Sequence, residues 1–271
     1  MKRCLITGAA GGIGTRLRRL LKGVYPVLRL SDRVQPADLA ADEEFVAADL
    51  TDPVAVERAV AGMQGIVHLG GVSVERPWEE ILPANIVGIY NLFEAARKAG
   101  VERVVFASSN HVIGFYPRRR RFGTAVIPRP DSRYGVSKMF GEALGALYAD
   151  KYGLRVLSIR IGNFNDKPID ERRLSIWIKP EDLVQLIRIG LEHPDLHYEV
   201  VYGISANVRG WWDNEAAYRL GYRPTGESER WSAEALAAQA RLPADPIGDQ
   251  LQGGSFCSEE FSGDLDRIKR G

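Results

Sequence analysis

The chain has 271 residues, 45% hydrophobic and 26% charged, which suits one α/β domain with a modest appendage and ample material for a buried core. A net charge of +1 gives no electrostatic case for binding nucleic acid or an anionic membrane. No apolar run is long enough to span a bilayer and the opening residues show no signal-peptide pattern, so a cytoplasmic protein is expected.

Residues 4–7 are a short apolar run of the buried-strand type, which favours a buried thiol at Cys4 over a disulfide with Cys257. Gly8-Ala-Ala-Gly11-Gly12-Ile13-Gly14 follows, then the helical pattern Leu17, Leu20, Leu21. Glycines at that spacing between strand and helix allow a tight turn, close approach to a pyrophosphate, and packing of helix on sheet. The helix N-terminus then offers free N–H groups to phosphates. Residues 27–30 read as the second strand, with Asp32 at its end. A carboxylate there accepts the ribose hydroxyls of NAD and repels a 2′-phosphate, although Arg33 next to it could neutralise that phosphate. Residues 45–50 read as a third strand ending in an acid. Asp49 either meets the adenine amino group or caps the helix starting at Asp52-Pro53. Residues 65–71 are a fourth strand with a Gly70-Gly71 exit that permits close backbone approach to the cofactor. His68, inside that apolar strand, reads as a core histidine rather than a ligand. Ser73 follows in the loop.

Residues 79–99 form a long helix with apolar positions Ile81, Ile86, Ile89, Leu92 and Ala96, ended by Gly100. The strand 103–108 runs out into Ser108-Ser109-Asn110-His111. The basic run 118–121 is read as a solvated loop, with an oligomer contact as the alternative. Pro128 and Pro130 lead into a helix that carries Tyr134 and Lys138 and continues to Tyr152. Residues i and i+4 share one helix face, so a phenol and an ammonium stand one turn apart. The ammonium favours the phenolate, and the Tyr134 pKa is expected to fall. With a hydroxyl from Ser109 holding a substrate oxygen, this makes an alcohol-oxidising or carbonyl-reducing centre, given a hydride acceptor.

Residues 154–161 are the sixth strand, and Gly162-Asn163 starts another exit loop. A helix spans 179–191, a late strand 198–202, and residues 210–214 open a further helix. His193 and His197 mimic a metal pair, but Pro194 interrupts a helix there and no metal site is expected. After Pro243 the chain reads as extended covering structure. The β–α alternation predicts a doubly wound parallel sheet of the Rossmann type, in one domain over 1–271, with residues from about 163 onward contributing a small substrate-binding part. Gly8, Asp32, Asp49, Gly70, Ser109 and Gly162 all fall at the carboxyl ends of strands, where such sheets bind ligands.

On these motifs the chain resembles the extended short-chain dehydrogenase/reductase (NAD-dependent epimerase/dehydratase) superfamily over residues 1 to about 205. Residues 68–75, 106–111, 160–162, 174–177 and 210–214 resemble its uronate dehydrogenase branch. The resemblance implies NAD-dependent oxidation of D-galacturonate or D-glucuronate at C1 to an aldarolactone. Tyr134 would take the C1 hydroxyl proton, Lys138 would lower its pKa and bind the nicotinamide ribose, and Ser109 would hold the reacting oxygen. Gly8, Gly11, Gly12, Ile13, Gly14, Asp32, Asp49, Leu50, Leu69, Gly70 and Gly71, with Tyr134 and Lys138, would bind the cofactor. Ser73, Asn110, His111 and Asn163 would contact the sugar. Its carboxylate calls for an arginine, and Arg172 matches the position, with Arg173 as the neighbouring alternative. A homo-oligomer is implied, with helices 79–99 and 130–152 as contact surfaces. A nucleotide-sugar epimerase or reductase is the rival, opposed by the short C-terminal region. A non-catalytic dinucleotide sensor is opposed by the intact Ser109, Tyr134 and Lys138.

Overall fold

In the computed structural model, which describes residues 1–270, the apolar runs become strands and the periodic segments become the helices that cover them. The first half comprises β1 (Arg3–Thr7), α1 (Gly12–Leu20), β2 (Val27–Asp32), β3 (Glu43–Ala47), α2 (Pro53–Val60) and β4 (Gly65–His68). Next, α3 (Trp78–Ile81), a π-helical turn Leu82–Val87 and α4 (Gly88–Lys98) run on as one rod. They are followed by β5 (Arg103–Ser109), α5 (Arg133–Tyr152) and β6 (Arg155–Ile161). Beyond lie the short pair β7 (Asn163–Phe164) and β8 (Trp177–Ile178), with α6 (Glu171–Ile176) between them. α7 (Pro180–Glu192), β9 (Tyr198–Gly203), α8 (Glu215–Arg219), α9 (Ser232–Gln239) and α10 (Leu265–Arg270) complete the chain.

Among the described residues the main sheet has seven strands in the order β3-β2-β1-β4-β5-β6-β9, paired in parallel throughout. This is the doubly wound arrangement expected from the sequence. Alternate residues face opposite layers. Cys4, Ile6, Val105 and Leu157 pack in one layer with Leu17 of α1 and with Leu183 and Leu186 of α7. Leu5, Val104 and Val156 pack in the other with Val56, Leu92 and Leu144 from α2, α4 and α5. β4 and β5 are buried along their whole length, as befits strands covered on both faces. Cys4 and Cys257 are both free and buried. Among the described residues no helix is long and apolar enough to cross a membrane.

Several boundaries differ for identifiable reasons. β3 ends at Ala47, and Asp49 lies beyond it. The Asp49 carboxylate accepts from the Thr51 N–H at 2.9 Å and hydroxyl at 2.8 Å, a local turn that competes with strand pairing. The cap of α2 is Asp52, which accepts from Val54 N and Ala55 N, so Asp49 does not serve as its cap. The long helix contains a π turn at Pro83, where the missing N–H breaks the regular ladder. Residues 210–214 lead into α8 as expected, with Asn214 as its N-cap, and the Asn214 amide bonds both the N–H and the C=O of Tyr202, tying the helix start to β9. Arg172 lies on α6.

The basic run is a loop whose Arg119, Arg120 and Arg121 are exposed, as expected, yet several of its guanidinium groups also bind main chain. Arg118 donates to the carbonyls of Gly248 and Leu251, Arg119 to that of Lys269, and Arg121 to that of Gly210. Leu251 forms an antiparallel bridge with Pro117, while Gln252 N donates to Tyr116 O and Gly253 N to Gly114 O. The tail after Pro243 is thus covering structure, as expected, but built of turns that include the 3-10 segment Gly254–Cys257, ending in α10.

Candidate active site

A cleft of about 1160 Å³ runs along the carboxyl ends of β1, β2, β4, β5 and β6. One end is built by glycines. Gly8 adopts φ +67°, and a Cβ there would stand 2.7 Å from the backbone of Leu69 and Gly70, so the two loops touch main chain to main chain. At Gly14 a Cβ would overlap the Gly8 carbonyl, which is why α1 can sit so close to β1. A Cβ on Gly12 would meet nothing within 4 Å, leaving the start of α1 open to the cleft. No side chain caps α1, so its first N–H groups remain available to an anion. Asp32 accepts from Ala10 N at 3.0 Å and from Arg33 N at 2.7 Å, which fixes its carboxylate beside the glycine turn. Asp49, Leu50, Leu69, Gly70 and Gly71 line the same cleft, as do Gly11 and Ile13. Thr51's two hydrogen bonds hold the Asp49 carboxyl below its usual range. An open helix start, a cradle no side chain fills and an anchored carboxylate fit a dinucleotide.

At the other end the cleft is lined by Ser73, Ser109, Asn110, His111, Tyr134, Lys138 and Asn163. Ser109 closes β5, where its hydroxyl accepts from His111 N at 3.2 Å. Tyr134 enters on the first turn of α5, whose cap is Ser132. The Lys138 Nζ lies 5.6 Å from the centre of the Tyr134 ring and 5.1 Å from that of Phe106. The expected fall in the Tyr134 pKa is not found. Burial pushes the phenol up to about 12, Asp131's charge adds to the rise, and a hydrogen bond with Ser109 opposes it. Burial also pushes Lys138 down to about 8. Spacing put the ammonium near the phenol, but enclosure takes both out of water and favours each neutral form.

His68 behaves as the core histidine expected. It is fully buried, its Nδ1 is 2.7 Å from Thr7 Oγ1, and burial together with the Lys138 charge pushes its pKa down to about 3. Among the described residues no cluster of His, Cys, Asp or Glu is arranged to hold a metal ion. His197 instead meets Asp150 at the surface.

Arg172 is the expected site residue that does not line the cleft. It stands behind Asn110, whose amide in its hydrogen-bonded orientation accepts from Arg172 Nη2 at 3.0 Å and donates to Ile161 O at 3.2 Å. Burial is the main cause that lowers the Arg172 pKa to about 10, with the charges of Arg173 and Arg118 adding to it. Among the described residues no carboxylate pairs with Arg172, whereas Arg173 is paired with Asp170. Asn163 carries a buried Oδ1 without a hydrogen-bond partner.

Several residues at the site escaped the sequence reading. The buried Asp131 carboxylate lies 2.7 Å from His111 Nδ1, and Phe256 stacks on the His111 ring at 3.8 Å between centres. Gln252 O accepts from Arg172 Nε at 2.8 Å. Asn85, on the π turn, bonds both backbone groups of Val72 and the Ser137 hydroxyl, tying the Ser73 loop to α5. Glu75 accepts from Tyr134 N at 2.9 Å and pairs with Arg133. Each is a common polar or aromatic residue without a distinctive spacing to its partner, so no local signal marked its role.

Residues 4–180 match the NAD dependent epimerase/dehydratase family. The chain is 46% identical over 264 residues to a uronate dehydrogenase of Pseudomonas syringae pv. tomato, covering 97% of this chain and 95% of that one. It is similar to the crystal structure of a mutant uronate dehydrogenase from Agrobacterium tumefaciens complexed with NAD, at TM-score 0.91 and 45% identity over 95% of this chain and 97% of that one. It is equally similar to glucuronic acid dehydrogenase from Chromohalobacter salexigens, at TM-score 0.92 and 47% identity over 98% of both chains.

Proposed function

The chain belongs to the NAD dependent epimerase/dehydratase family and, within it, to the uronate dehydrogenases, and we propose that it oxidises D-galacturonate or D-glucuronate at C1 with NAD to the aldarolactone. The observation that carries this reading is the half-buried guanidinium of Arg172, unpaired with any described carboxylate, one residue away from the Ser109–Tyr134–Lys138 group through Asn110. An arginine left without a carboxylate in such a place is suited to receive one from a ligand.

Gly8, Gly11, Gly12, Ile13 and Gly14 hold the pyrophosphate, Asp32 the adenosine ribose, and Asp49, Leu50, Leu69, Gly70 and Gly71 the rest of the adenosine half. NAD+, when bound, supplies the acceptor for the hydride from C1. Tyr134 takes the C1 hydroxyl proton, Ser109 holds that oxygen, and Lys138 shares the proton load with Tyr134. Ser73, Asn110, His111 and Asn163 orient the ring, and Arg172 takes the carboxylate. In this reading one domain spans the chain, residues from about 163 onward supply the substrate half, and the enzyme works in the cytoplasm. Exposed apolar residues Val87, Tyr90, Val136 and Leu147 on α4, α5 and the π turn support a homo-oligomer.

The test is NADH formation with D-galacturonate and D-glucuronate, against D-galactose and UDP-glucose. Uronate-dependent NADH supports the reading, and conversion of the nucleotide sugar alone overturns it in favour of the epimerase or reductase alternative.

The pKa values set the pH dependence. Tyr134, pushed up to about 12, keeps its proton across this range, and Lys138, pushed down to about 8, is the group of the two that changes charge. Below about 8 the pair holds both protons and has no place for a third; above it the Lys138 amine is neutral and the pair can accept the C1 hydroxyl proton through Tyr134. Accordingly kcat/KM for the uronate is expected to rise with pH through about 8. A flat profile between about pH 6 and 10 contradicts that assignment.

Asp32→Ala should raise the KM for NAD+ roughly ten- to a hundredfold, with kcat at saturating NAD+ little changed, because it removes charge-assisted bonds of about 1.5–3 kcal/mol. An unchanged KM for NAD+ would remove Asp32 from the ribose.

A further inference from the structure

Arg172 is held in place by main chain, and the direction its guanidinium faces depends on a segment far along the sequence. Its Nε donates to Gln252 O at 2.8 Å and its Nη2 to the Asn110 amide at 3.0 Å. With Nε given to Gln252 and one Nη2 hydrogen to Asn110, the Nη1 hydrogens and the second Nη2 hydrogen are what remain for a ligand.

The carbonyl that accepts from Nε is itself tightly fixed. Gln252 is fully buried. Its Oε1 accepts from Trp212 Nε1 at 2.7 Å, and its Nε2 donates to Pro117 O at 3.1 Å and Arg120 O at 2.9 Å. Turning that side chain would strand buried polar atoms, at a cost large enough to hold it. Two residues on, Gly254 adopts φ +67°, and a Cβ there would stand 2.8 Å from both Cδ and Nε of Arg172. The tail therefore crosses the guanidinium without room for a methyl group. Trp212 stacks on Tyr202 at 4.8 Å within an apolar cluster that includes Tyr116 and Ile176, and its N–H ties that cluster to Gln252.

We propose that the C-terminal turn from Gln252 to Gly254 is the specificity element for the substrate carboxylate, with Gln252 and Trp212 as positioning residues that aim the Arg172 fork. This rests on the reading of Arg172 as the carboxylate clamp. A planar carboxylate is bound at two points only when the fork is fixed in its plane. Loosening the tail should therefore weaken the selection of an acid over its neutral counterpart while leaving the proton chemistry at Tyr134 in place.

The experiment uses the full chain with D-glucuronate and with D-glucuronamide, which keeps the C1 hydroxyl and lacks the charge; the amide is followed as a substrate or as a competitive inhibitor. Trp212→Phe keeps a ring in the cluster and removes the N–H bound to Gln252. The expected result is a KM for D-glucuronate raised about tenfold, with kcat, the KM for NAD+ and the affinity for the amide little changed. Gly254→Ala, which crowds Arg172 directly, should move the same ratio and decides the matter if Trp212→Phe fails to fold. Equal losses on acid and amide, or an unchanged acid-to-amide ratio in both variants, overturn the proposal, because a purely structural anchor would give one or the other. The two readings fail separately. If Arg172→Ala leaves the acid-to-amide ratio intact, the clamp itself is wrong. If Arg172→Ala abolishes the ratio and both tail variants preserve it, only the positioning role falls.

Discussion

Tyr134→Phe is expected to lower kcat by about a hundred- to ten-thousandfold, the range that general acid–base groups supply, while the KM for NAD+ stays near that of the wild type. The argument starts from what the substitution spares. Tyr134 is buried, its ring lies edge-on to His111 at 5.8 Å, and its backbone N–H caps onto Glu75. Phenylalanine keeps the ring and the backbone bond and loses only the hydroxyl that exchanges the C1 proton. Ser109 remains in place to hold the reacting oxygen, but an alcohol of ordinary basicity cannot take over the load of a Tyr134–Lys138 pair whose amine is already near neutrality at about pH 8. Steady-state kinetics with saturating NAD+ checks this, and wild-type-like turnover would remove Tyr134 from the chemistry.

The second large effect is at Arg172. Arg172→Ala should raise the KM for uronates ten- to a hundredfold, from the loss of a charge-assisted bidentate contact of about 1.5–3 kcal/mol. It also strips partners from the Asn110 amide and the Gln252 carbonyl, so a lower thermal midpoint should accompany the kinetic loss. Arg172→Lys restores the charge without the fork and should recover only part of the affinity. Arg173→Ala is the control. Arg173 already has Asp170 as its partner, so the KM for uronates should be little changed. If Arg173→Ala raised that KM and Arg172→Ala did not, the clamp would move one residue along α6.

Legibility followed the range of the interactions. The glycine turn, Asp32 and Tyr134 with Lys138 carry their meaning in spacings of a few residues, and the structure places them in one cleft. The parallel sheet was legible for a similar reason, since buried strands such as 103–109 are apolar on both faces and their connections are short. Element ends were harder to read. The bond from Asp49 to Thr51 and that from Asn214 to Tyr202 decide where β3 and α8 stop and start, and both compete with the regular ladder rather than continue it. The partners of His111 and Arg172 were hidden because they are brought in by tertiary folding. Asp131 stands at no spacing that marks a partner, and Gln252 and Phe256 lie in a tail with no periodicity. The direction of the Tyr134 shift was misjudged for a related reason. Helical spacing reveals the neighbouring ammonium, whereas enclosure is a property of the whole fold, and here enclosure sets the direction of the shift.

The same principle accounts for the basic run. Four adjacent cations suggest a solvated patch, yet the carbonyls that Arg118, Arg119 and Arg121 bind belong to chain distant in sequence. Guanidinium groups spent on main-chain carbonyls keep the tail against the site, where Phe256 covers His111 and Gln252 faces Arg172.

The central claim is hydride removal from C1 of a hexuronic acid, and it is tested most directly with D-glucuronate deuterated at C1. The purified chain is mixed with this substrate and NAD+, and the reduced cofactor is weighed by mass spectrometry. The account predicts NADH that carries one deuterium for each lactone formed. Either no reduced cofactor, or reduced cofactor without the label, would contradict it.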